Sequence, residues 1–243
     1  MDHEAPTTRR DFFRLASVLG AGLALSACMP KEGVGGAKAL AASEAPVKAD
    51  VEEVLPVEDL MREHGILRRI LLIYREAEKR LFASQDVDPK ILTGSAEIIR
   101  RFIEEYHEKL EEDYLFPHFE RAGKLTDLVK VLKQQHEGGR RLTAEILAQA
   151  TKAARVSEAR RSLADALHAF VRMYEPHAAR EDTVLFPAFR SVVTPKEYDQ
   201  YGDIFEDKEK ALFGTNGFEN MVSQVADLEK AMGLYELSQF TPR

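Results

Sequence analysis

One motif occurs twice in this chain, and it constrains the fold more than any other feature. Each copy has a histidine, a glutamate four residues later and a Leu-Phe-Pro ending, first at 107–117 and again 70 residues further on, at 177–187. Two more histidines, His64 and His136, stand 72 residues apart, one ahead of each copy. Such a duplication predicts a bundle built from two similar helix pairs, each of which buries the apolar stripe of the other.

The residues between these motifs indicate helices rather than strands. Apolar residues recur at helical spacing for most of the chain, and alternating runs of Val, Ile and Thr are scarce. We therefore predict an all-α fold, an up-down four-helix bundle with additional C-terminal helices. The bundle helices are expected at about 56–82, 94–116, 124–153 and 157–190, with Pro117 ending the second.

Further helices are predicted beyond the bundle. Thr194-Pro195-Lys196-Glu197 has the pattern of a capped helix start, with the threonine as the cap and the proline in the first turn. That helix is expected to run to about Phe213, and a last helix is expected after a turn at 214–217. We expect a bundle domain at 55–192 and a C-terminal extension at 193–243 that packs on it.

The N-terminal segment is predicted to be an export signal with a lipid anchor. Arg9-Arg10 precedes an aromatic pair, which resembles the twin-arginine export motif, and the apolar run at 15–27 fits a signal-peptide core. Leu25-Ser26-Ala27-Cys28 resembles a lipobox, in which the cysteine is lipidated; the alternative is a cleaved signal with a coincidental cysteine.

These features predict where the N-terminal part of the chain belongs. We expect a signal at 1–28 and a flexible linker at 29–54, which is rich in Gly, Ala, Lys, Ser and Pro. The expected product is exported by the twin-arginine route to a periplasmic or other extracytoplasmic location. There it would be anchored to a membrane through lipid on Cys28.

The charge of the chain argues against nucleic acid as a partner. The net charge is -7, because 41 acidic residues outnumber 34 basic ones. Basic residues do not cluster with aromatic ones, as they do in proteins that bind a phosphate backbone. The acidic balance favours solubility and excludes no enzyme class.

The doubled motif carries the residues from which we predict the chemistry. His107 and Glu111 are four residues apart, as are His177 and Glu181, so each pair lies on one face of a helix, one turn apart. With His64 and His136 the set offers four imidazoles and two carboxylates. If all six face the core, they can hold two metal ions, with the carboxylates bridging them. Imidazole and carboxylate ligands without thiolate suit iron, manganese or zinc.

The pattern resembles the hemerythrin-like family of HHE cation-binding proteins over about residues 55–190. The resemblance rests on the two His-x-x-x-Glu motifs, each ending in Leu-Phe-Pro, and on the two further histidines in register with them. It implies a four-helix bundle that holds two iron ions, with manganese or zinc as alternatives. It also implies His64, His107, Glu111, His136, His177 and Glu181 as the metal ligands.

The chain departs from the respiratory members of that family at two positions. Those members have another histidine one turn after the third-helix histidine, where this chain has Arg140. An arginine cannot bind a cation, so Arg140 is expected either to leave the core or to pair with a carboxylate, with Glu137 and the acidic ligands as candidate partners. One iron is then expected to be completed by water. Respiratory members also place an aspartate five residues after the fourth-helix histidine, so Asp182 could substitute for Glu181 or support it.

The resemblance leaves three functions open. The first is reversible binding or sensing of a small diatomic ligand, oxygen or nitric oxide, at a di-iron centre. The second is a di-iron enzyme that acts on peroxide or nitric oxide at the position left open by Arg140. The third is storage or delivery of iron.

Other residues near the motif receive separate interpretations. His168 lies nine residues before His177 and should point away from it, and His118 is expected at the surface or beside the ligands. Tyr174 could donate to a bridging carboxylate or to bound oxygen, although a tyrosine there is more often a core residue with its hydroxyl bonded. Pro176 lies inside the fourth helix and predicts a kink.

Overall fold

Helices account for nearly all of the chain that the computed structural model describes, which is residues 55–153 and 157–242. Among those residues there is no strand, and the predicted all-α class is confirmed. The predicted signal, Cys28 and all of the predicted linker lie outside the described residues.

Four long helices form the bundle. Helix α1 is Pro56–Phe82 and α3 is Thr126–Ala150. Helix α2 spans 89–122 and α4 spans 157–189. Each is continuous and alternates between α-helical and π-helical segments. Each of these helices packs against the next, and α4 closes the ring against α1, which is the up-down arrangement that was predicted.

The second helix differs from its prediction at both ends. It begins at Pro89 rather than near Gly94, because Asp88 caps it by accepting a hydrogen bond from the backbone of Lys90 at 2.9 Å. It also continues past Pro117 to Ala122. The proline lies in the first turn of a new α-helical segment, where its missing N–H is tolerated.

The duplicated motif produces the same backbone distortion in both halves. A π-helical turn follows the glutamate of each copy, at Glu111–Leu115 in α2 and at Glu181–Leu185 in α4. Each turn leads directly into the Phe-Pro that ends the motif, and α2 has a further π-helical stretch at Ile99–His107. Such turns add a residue to the helical repeat and rotate the following side chains about the helix axis.

Two more helices lie on the bundle. Helix α5 is Pro195–Phe213, and its predicted capping box is confirmed, with Thr194 Oγ1 accepting from the Glu197 amide at 3.2 Å. Helix α6 is Gly217–Met232 and packs against α1, α2 and α5. Arg69 of α1 fastens it by two hydrogen bonds to Glu229, of 2.9 and 2.6 Å.

Candidate metal centre

Six side chains from the four bundle helices meet inside the bundle, and each is at most 4% exposed. Helices α1 and α3 each supply one histidine, while α2 and α4 each supply a histidine and a glutamate one turn apart. Their nitrogen and oxygen atoms form two groups, each within 4.8 Å: His64 with His107 and Glu111, and His136 with His177 and Glu181. The structure therefore brings together all six residues singled out from the sequence.

Both glutamates lie between the two groups. A carboxylate oxygen of Glu181 is 3.1 Å from His177 Nε2 and 3.3 Å from His64 Nε2, which belongs to the other group. Glu111 has an oxygen 3.3 Å from His136 Nε2 and another 3.9 Å from His107 Nε2. Each carboxylate thus reaches imidazoles of both groups, as a bridging ligand must.

The polar atoms that face the centre fit a cation. Among the described residues, both oxygens of Glu111 and of Glu181, and Nε2 of His136, are buried without a hydrogen bond. Buried polar atoms without a partner are rare because they lose their hydration, and a cation would restore a partner to all five. The Nε2 atoms of His64 and His107 lie 3.0 Å apart, at hydrogen-bond distance, so the two ring nitrogens face each other inside the cluster.

An acidic side chain accepts a hydrogen bond from the far nitrogen of each single histidine. Asp182 accepts from His64 Nδ1 at 2.7 Å, and Glu112 accepts from His136 Nδ1 at 3.0 Å. With Nδ1 donating, the Nε2 lone pair of each ring is directed toward the centre. Asp182 therefore supports His64, and Glu181 is the carboxylate that lies within the cluster.

An arginine holds each of these acidic partners. Arg68 pairs with Asp182, and Arg140 Nη2 donates to Glu112 at 2.6 Å. Arg140 also donates to Glu108 at 2.9 Å, so the expectation that it pairs with a carboxylate is confirmed. The partners are neither Glu137 nor the acidic ligands, which were the candidates, because the side chain of Arg140 reaches toward Glu108 and Glu112 of α2.

The two paired histidines also have matching partners, but the partners differ in charge. His107 Nδ1 donates to a carboxylate oxygen of Glu63 at 2.8 Å. His177 Nδ1 donates to the amide oxygen of Gln135 at 2.9 Å. Glu63 and Gln135 stand immediately before the single histidines of the two halves, so the centre is nearly two-fold in geometry but not in charge.

An aromatic ring also covers each single histidine. Phe186 stacks on His64 with ring centroids 5.4 Å apart, and Phe116 stacks on His136 at 5.6 Å. Both phenylalanines are buried and follow the π-helical turns. The turns therefore place a ring from one helix over an imidazole from another.

Burial and charge shift the pKa values of the groups at the centre in opposite directions. Burial lowers the pKa of His136 to about 4 and that of His107 well below its usual range. Burial also opposes the charged form of His64, but Asp182 and Glu181 raise its pKa to about 9.

The pKa values of the two central glutamates separate as well. Burial and the neighbouring charge of Glu181 raise the pKa of Glu111 well above its usual range. Burial alone would do the same to Glu181, but His177 and His64 lower its pKa well below the usual range. Without metal, the cluster thus holds a mixture of charged and neutral groups.

The remaining residues singled out from the sequence lie around this cluster or away from it. Tyr174 donates to Glu108 at 2.6 Å rather than to a carboxylate of the cluster. His168 is exposed and pairs with Glu78, and His118 lies 2.6 Å from the Tyr201 hydroxyl. Both histidines are therefore outside the cluster, as expected.

Sequence reasoning recognised Asp182 as a possible supporting residue but missed the other outer partners of the imidazoles. A signal was present, because the partners also follow the internal repeat. The spacing is 72 residues from Glu63 to Gln135 and from Arg68 to Arg140, and 70 residues from Glu112 to Asp182. Extending the repeat beyond histidine and glutamate would have found them as pairs.

Comparisons with known proteins agree with this geometry. The family model described as Hemerythrin HHE cation binding domain matches residues 55–189 and also residues 143–232. Uncharacterized proteins of Mycobacterium bovis and of two strains of Mycobacterium tuberculosis are 48% identical over 242 residues, which cover 98% of this chain and 92% of each relative. No solved structure gives a significant match.

Proposed function

We propose that this chain, which belongs to the hemerythrin family of HHE cation-binding domains, holds two iron ions that bind oxygen or another diatomic ligand such as nitric oxide. The family supports cation binding, the resemblance to hemerythrins implies iron, and the ligand types fit iron as they fit manganese or zinc. Four imidazoles and two carboxylates without a thiolate suit iron better than copper(I) or an iron–sulfur cluster.

One observation supports this proposal more than any other. Both oxygens of Glu111 and of Glu181 are buried among four imidazoles without a hydrogen bond, within the described part of the chain. A carboxylate in that situation is stabilised by a cation and destabilised without one. In this proposal His64, His107, His136 and His177 would hold two irons, and Glu111 and Glu181 would be the carboxylates that the two irons share.

The chain itself supplies orientation and exclusion of water. The hydrogen bonds from Nδ1 of each histidine keep its Nε2 directed inward, and the stacked rings of Phe116 and Phe186 restrict ring rotation. The irons, when bound, supply the electrons and the coordination position that a diatomic ligand needs.

Arg140 favours a second candidate function, an enzyme that acts on peroxide or nitric oxide. The position at which respiratory members have another ligand is filled here by a guanidinium that is bound to Glu108 and Glu112. An arginine offers no lone pair, so Arg140 would leave one coordination position of a bound iron without a protein ligand. Such a position admits a substrate as readily as a reversible ligand.

Metal analysis with spectroscopy tests the proposal. We expect the purified protein to contain about two irons per chain, rather than manganese or zinc, and its reduced form to change its visible spectrum on exposure to air or nitric oxide. Steady-state loss of added peroxide would favour the enzyme, and loss of iron to a chelator within minutes would favour storage or delivery.

A matched pair of variants locates the metal. His177→Ala should lose metal, whereas His168→Ala, on the same helix but exposed and paired with Glu78, should retain it. Equal metal content in the two variants would contradict the proposed ligand set.

A further inference from the structure

The two halves of the centre differ at one interface between neighbouring bundle helices, which we call a seam. The internal repeat relates α1 to α3 and α2 to α4, so the seam between α2 and α3 corresponds to the seam between α4 and α1. At the first seam, the buried carboxylate of Glu108 binds Arg140 at 2.9 Å and the hydroxyl of Tyr174 at 2.6 Å. At the second seam, the residue 70 positions after Glu108 is Ala178.

A hollow occupies the seam where the alanine stands. It has a volume of about 330 Å³ and lies between α1 and α4, lined by Arg68, Leu71, Leu72, Tyr174, Glu175 and Ala178. Leu71 also replaces a polar group, because its counterpart in the other half is Thr143, which hydrogen-bonds to Glu104. The buried polar side chains of Glu108 and Thr143 in one seam are thus replaced in the other by the apolar Ala178 and Leu71.

The floor of this hollow adjoins the metal-binding cluster. The ring of Tyr174 contacts the imidazole of His177, with centroids 5.3 Å apart, and Ala178 follows His177 in the chain. At the rim, Arg68 pairs with Asp182, which accepts the Nδ1 hydrogen bond of His64. The hollow is thus one side chain away from His177, through Tyr174, and is linked to His64 through the Arg68–Asp182 pair; both imidazoles contact Glu181.

The charges at the rim indicate which ligand the hollow suits. Arg68 pairs with Asp182 and Arg75 pairs with Glu175, so the two cations are matched by two carboxylates. A rim without excess charge attracts neither anions nor cations, and the floor of Leu71 and Ala178 is apolar. The volume is several times the roughly 30 Å³ that one water occupies in the liquid. These properties suit a small uncharged molecule.

We propose that a small uncharged ligand reaches the metal centre through this α1–α4 hollow, with Leu72 at its mouth. The proposal rests on the proposed function and adds to it the side from which the ligand arrives. The α2–α3 seam is closed by Glu108, Arg140 and Tyr174.

Tryptophan substitution at equivalent positions of the two seams tests the route. Leu72 is 48% exposed, so Leu72→Trp can cover the hollow without disturbing the core. The control is Ala144→Trp, because Ala144 is the exposed counterpart of Leu72 in the other half. With nitric oxide as the probe and the reduced, iron-loaded chain, Leu72→Trp should slow association by on the order of tenfold. Ala144→Trp should leave the rate unchanged, and equal rates in the two variants would overturn the proposal.

Xenon provides a readout that needs no metal. Pressurised xenon should shift the methyl NMR signals of Ala178 and Leu71 in the metal-free chain, and Leu72→Trp should abolish those shifts. Unchanged signals in the wild-type chain would overturn the proposal, even if nitric oxide binds. If the chain binds neither iron nor nitric oxide, the proposed function fails, and the xenon result alone decides whether the hollow admits small apolar molecules.

Discussion

The hydrogen-bond acceptors of His107 and His177 differ by one formal charge. Glu63 is a carboxylate and Gln135 is an amide, although both accept from Nδ1 at nearly the same distance, 2.8 and 2.9 Å. A carboxylate that accepts the Nδ1 hydrogen bond makes the imidazole a stronger metal ligand, because the carboxylate stabilises the positive charge that develops on the ring. The two halves of the centre should therefore hold metal with unequal strength.

Exchange of these two acceptors tests that inequality. Glu63→Gln should weaken metal binding by roughly 10–100-fold, the usual effect of losing such a partner, and Gln135→Glu should strengthen it. Competition with a chelator of known affinity measures both. Equal affinities in Glu63→Gln and the wild-type chain would show that the charge of this acceptor does not matter.

A second prediction at the residue scale concerns the metal-free protein and pH. Burial lowers the pKa of His136 from 6.5 to about 4, so below pH 6.5 the unfolded chain binds this proton more readily than the folded chain. The contribution of His136 to the free energy of unfolding is fully present above pH 6.5. It decreases by about 3 kcal/mol in all as the pH falls from 6.5 toward about 4.

Denaturant unfolding of the metal-free chain at several pH values between 7 and 4 measures this effect. His136→Gln removes the titrating group and should reduce the loss of unfolding free energy over that interval. Some pH dependence should remain in this variant. Burial also lowers the pKa of His107, which adds a loss of the same sign, whereas the raised pKa of Glu111 adds a contribution of the opposite sign. The same pH dependence in His136→Gln and the wild-type chain would contradict the assignment.

At the scale of the helices, two adjacent glycines of α3 have different roles. A Cβ on Gly139 would lie 1.9 Å from the Tyr174 hydroxyl, so that residue must be glycine for α3 and α4 to pack this closely. A Cβ on Gly138 would lie 3.3 Å from the sulfur of Met173, a flexible side chain that can move slightly. The same helix thus offers a test and its control one residue apart.

We expect opposite results from alanine at these two positions. Gly139→Ala should destabilise the protein by roughly 1–3 kcal/mol through overpacking, and should disturb the bond between Tyr174 and Glu108. Gly138→Ala should be neutral or stabilising by up to about 1 kcal/mol, because alanine favours the helix. Chemical denaturation of both variants measures the difference, and similar stabilities would show that the Tyr174 ring is not confined by α3.

For the whole molecule, location is predicted from the sequence of the segment before the bundle. In the part of the chain that the structure describes, no helix is long and apolar enough to cross a membrane. The twin arginines and Cys28 lie outside that part, and export with lipid anchoring stays a prediction from their sequence.

Two sets of substitutions test that prediction separately. Replacement of Arg9 and Arg10 by lysine should leave the protein in the cytoplasm, because the twin-arginine export pathway recognises that pair of arginines. Cys28→Ser should release the exported protein from the membrane fraction, because the acceptor for lipid is lost. Cell fractionation and immunoblotting measure both, and unchanged membrane location in Cys28→Ser would remove the lipid anchor from the proposal.

The sequence by itself was enough to determine the helical class, the limits of α1 and the six residues that meet inside the bundle. The class and the limits of α1 follow from local periodicity, and so does the common helix face of a histidine and a glutamate four residues apart. That all six residues meet was predicted from the family resemblance. The internal repeat added the relation between the halves, since equal motifs at 70 and 72 residues apart predict equivalent places in a bundle. Helix ends were predicted less well, because the π-helical turn before Pro117 allows a proline to continue the helix.

Only the tertiary structure decided what lies between the helices. Arg140 pairs with Glu108 and Glu112 because α3 lies beside α2, and no spacing within α3 carries that information. The sequence also could not predict the hollow at Ala178. An alanine in a helix does not indicate a hollow by itself, and only the structure shows that its counterpart, Glu108, fills the other seam. Contacts between helices depend on which faces meet and how far each side chain reaches, and both are properties of the folded chain.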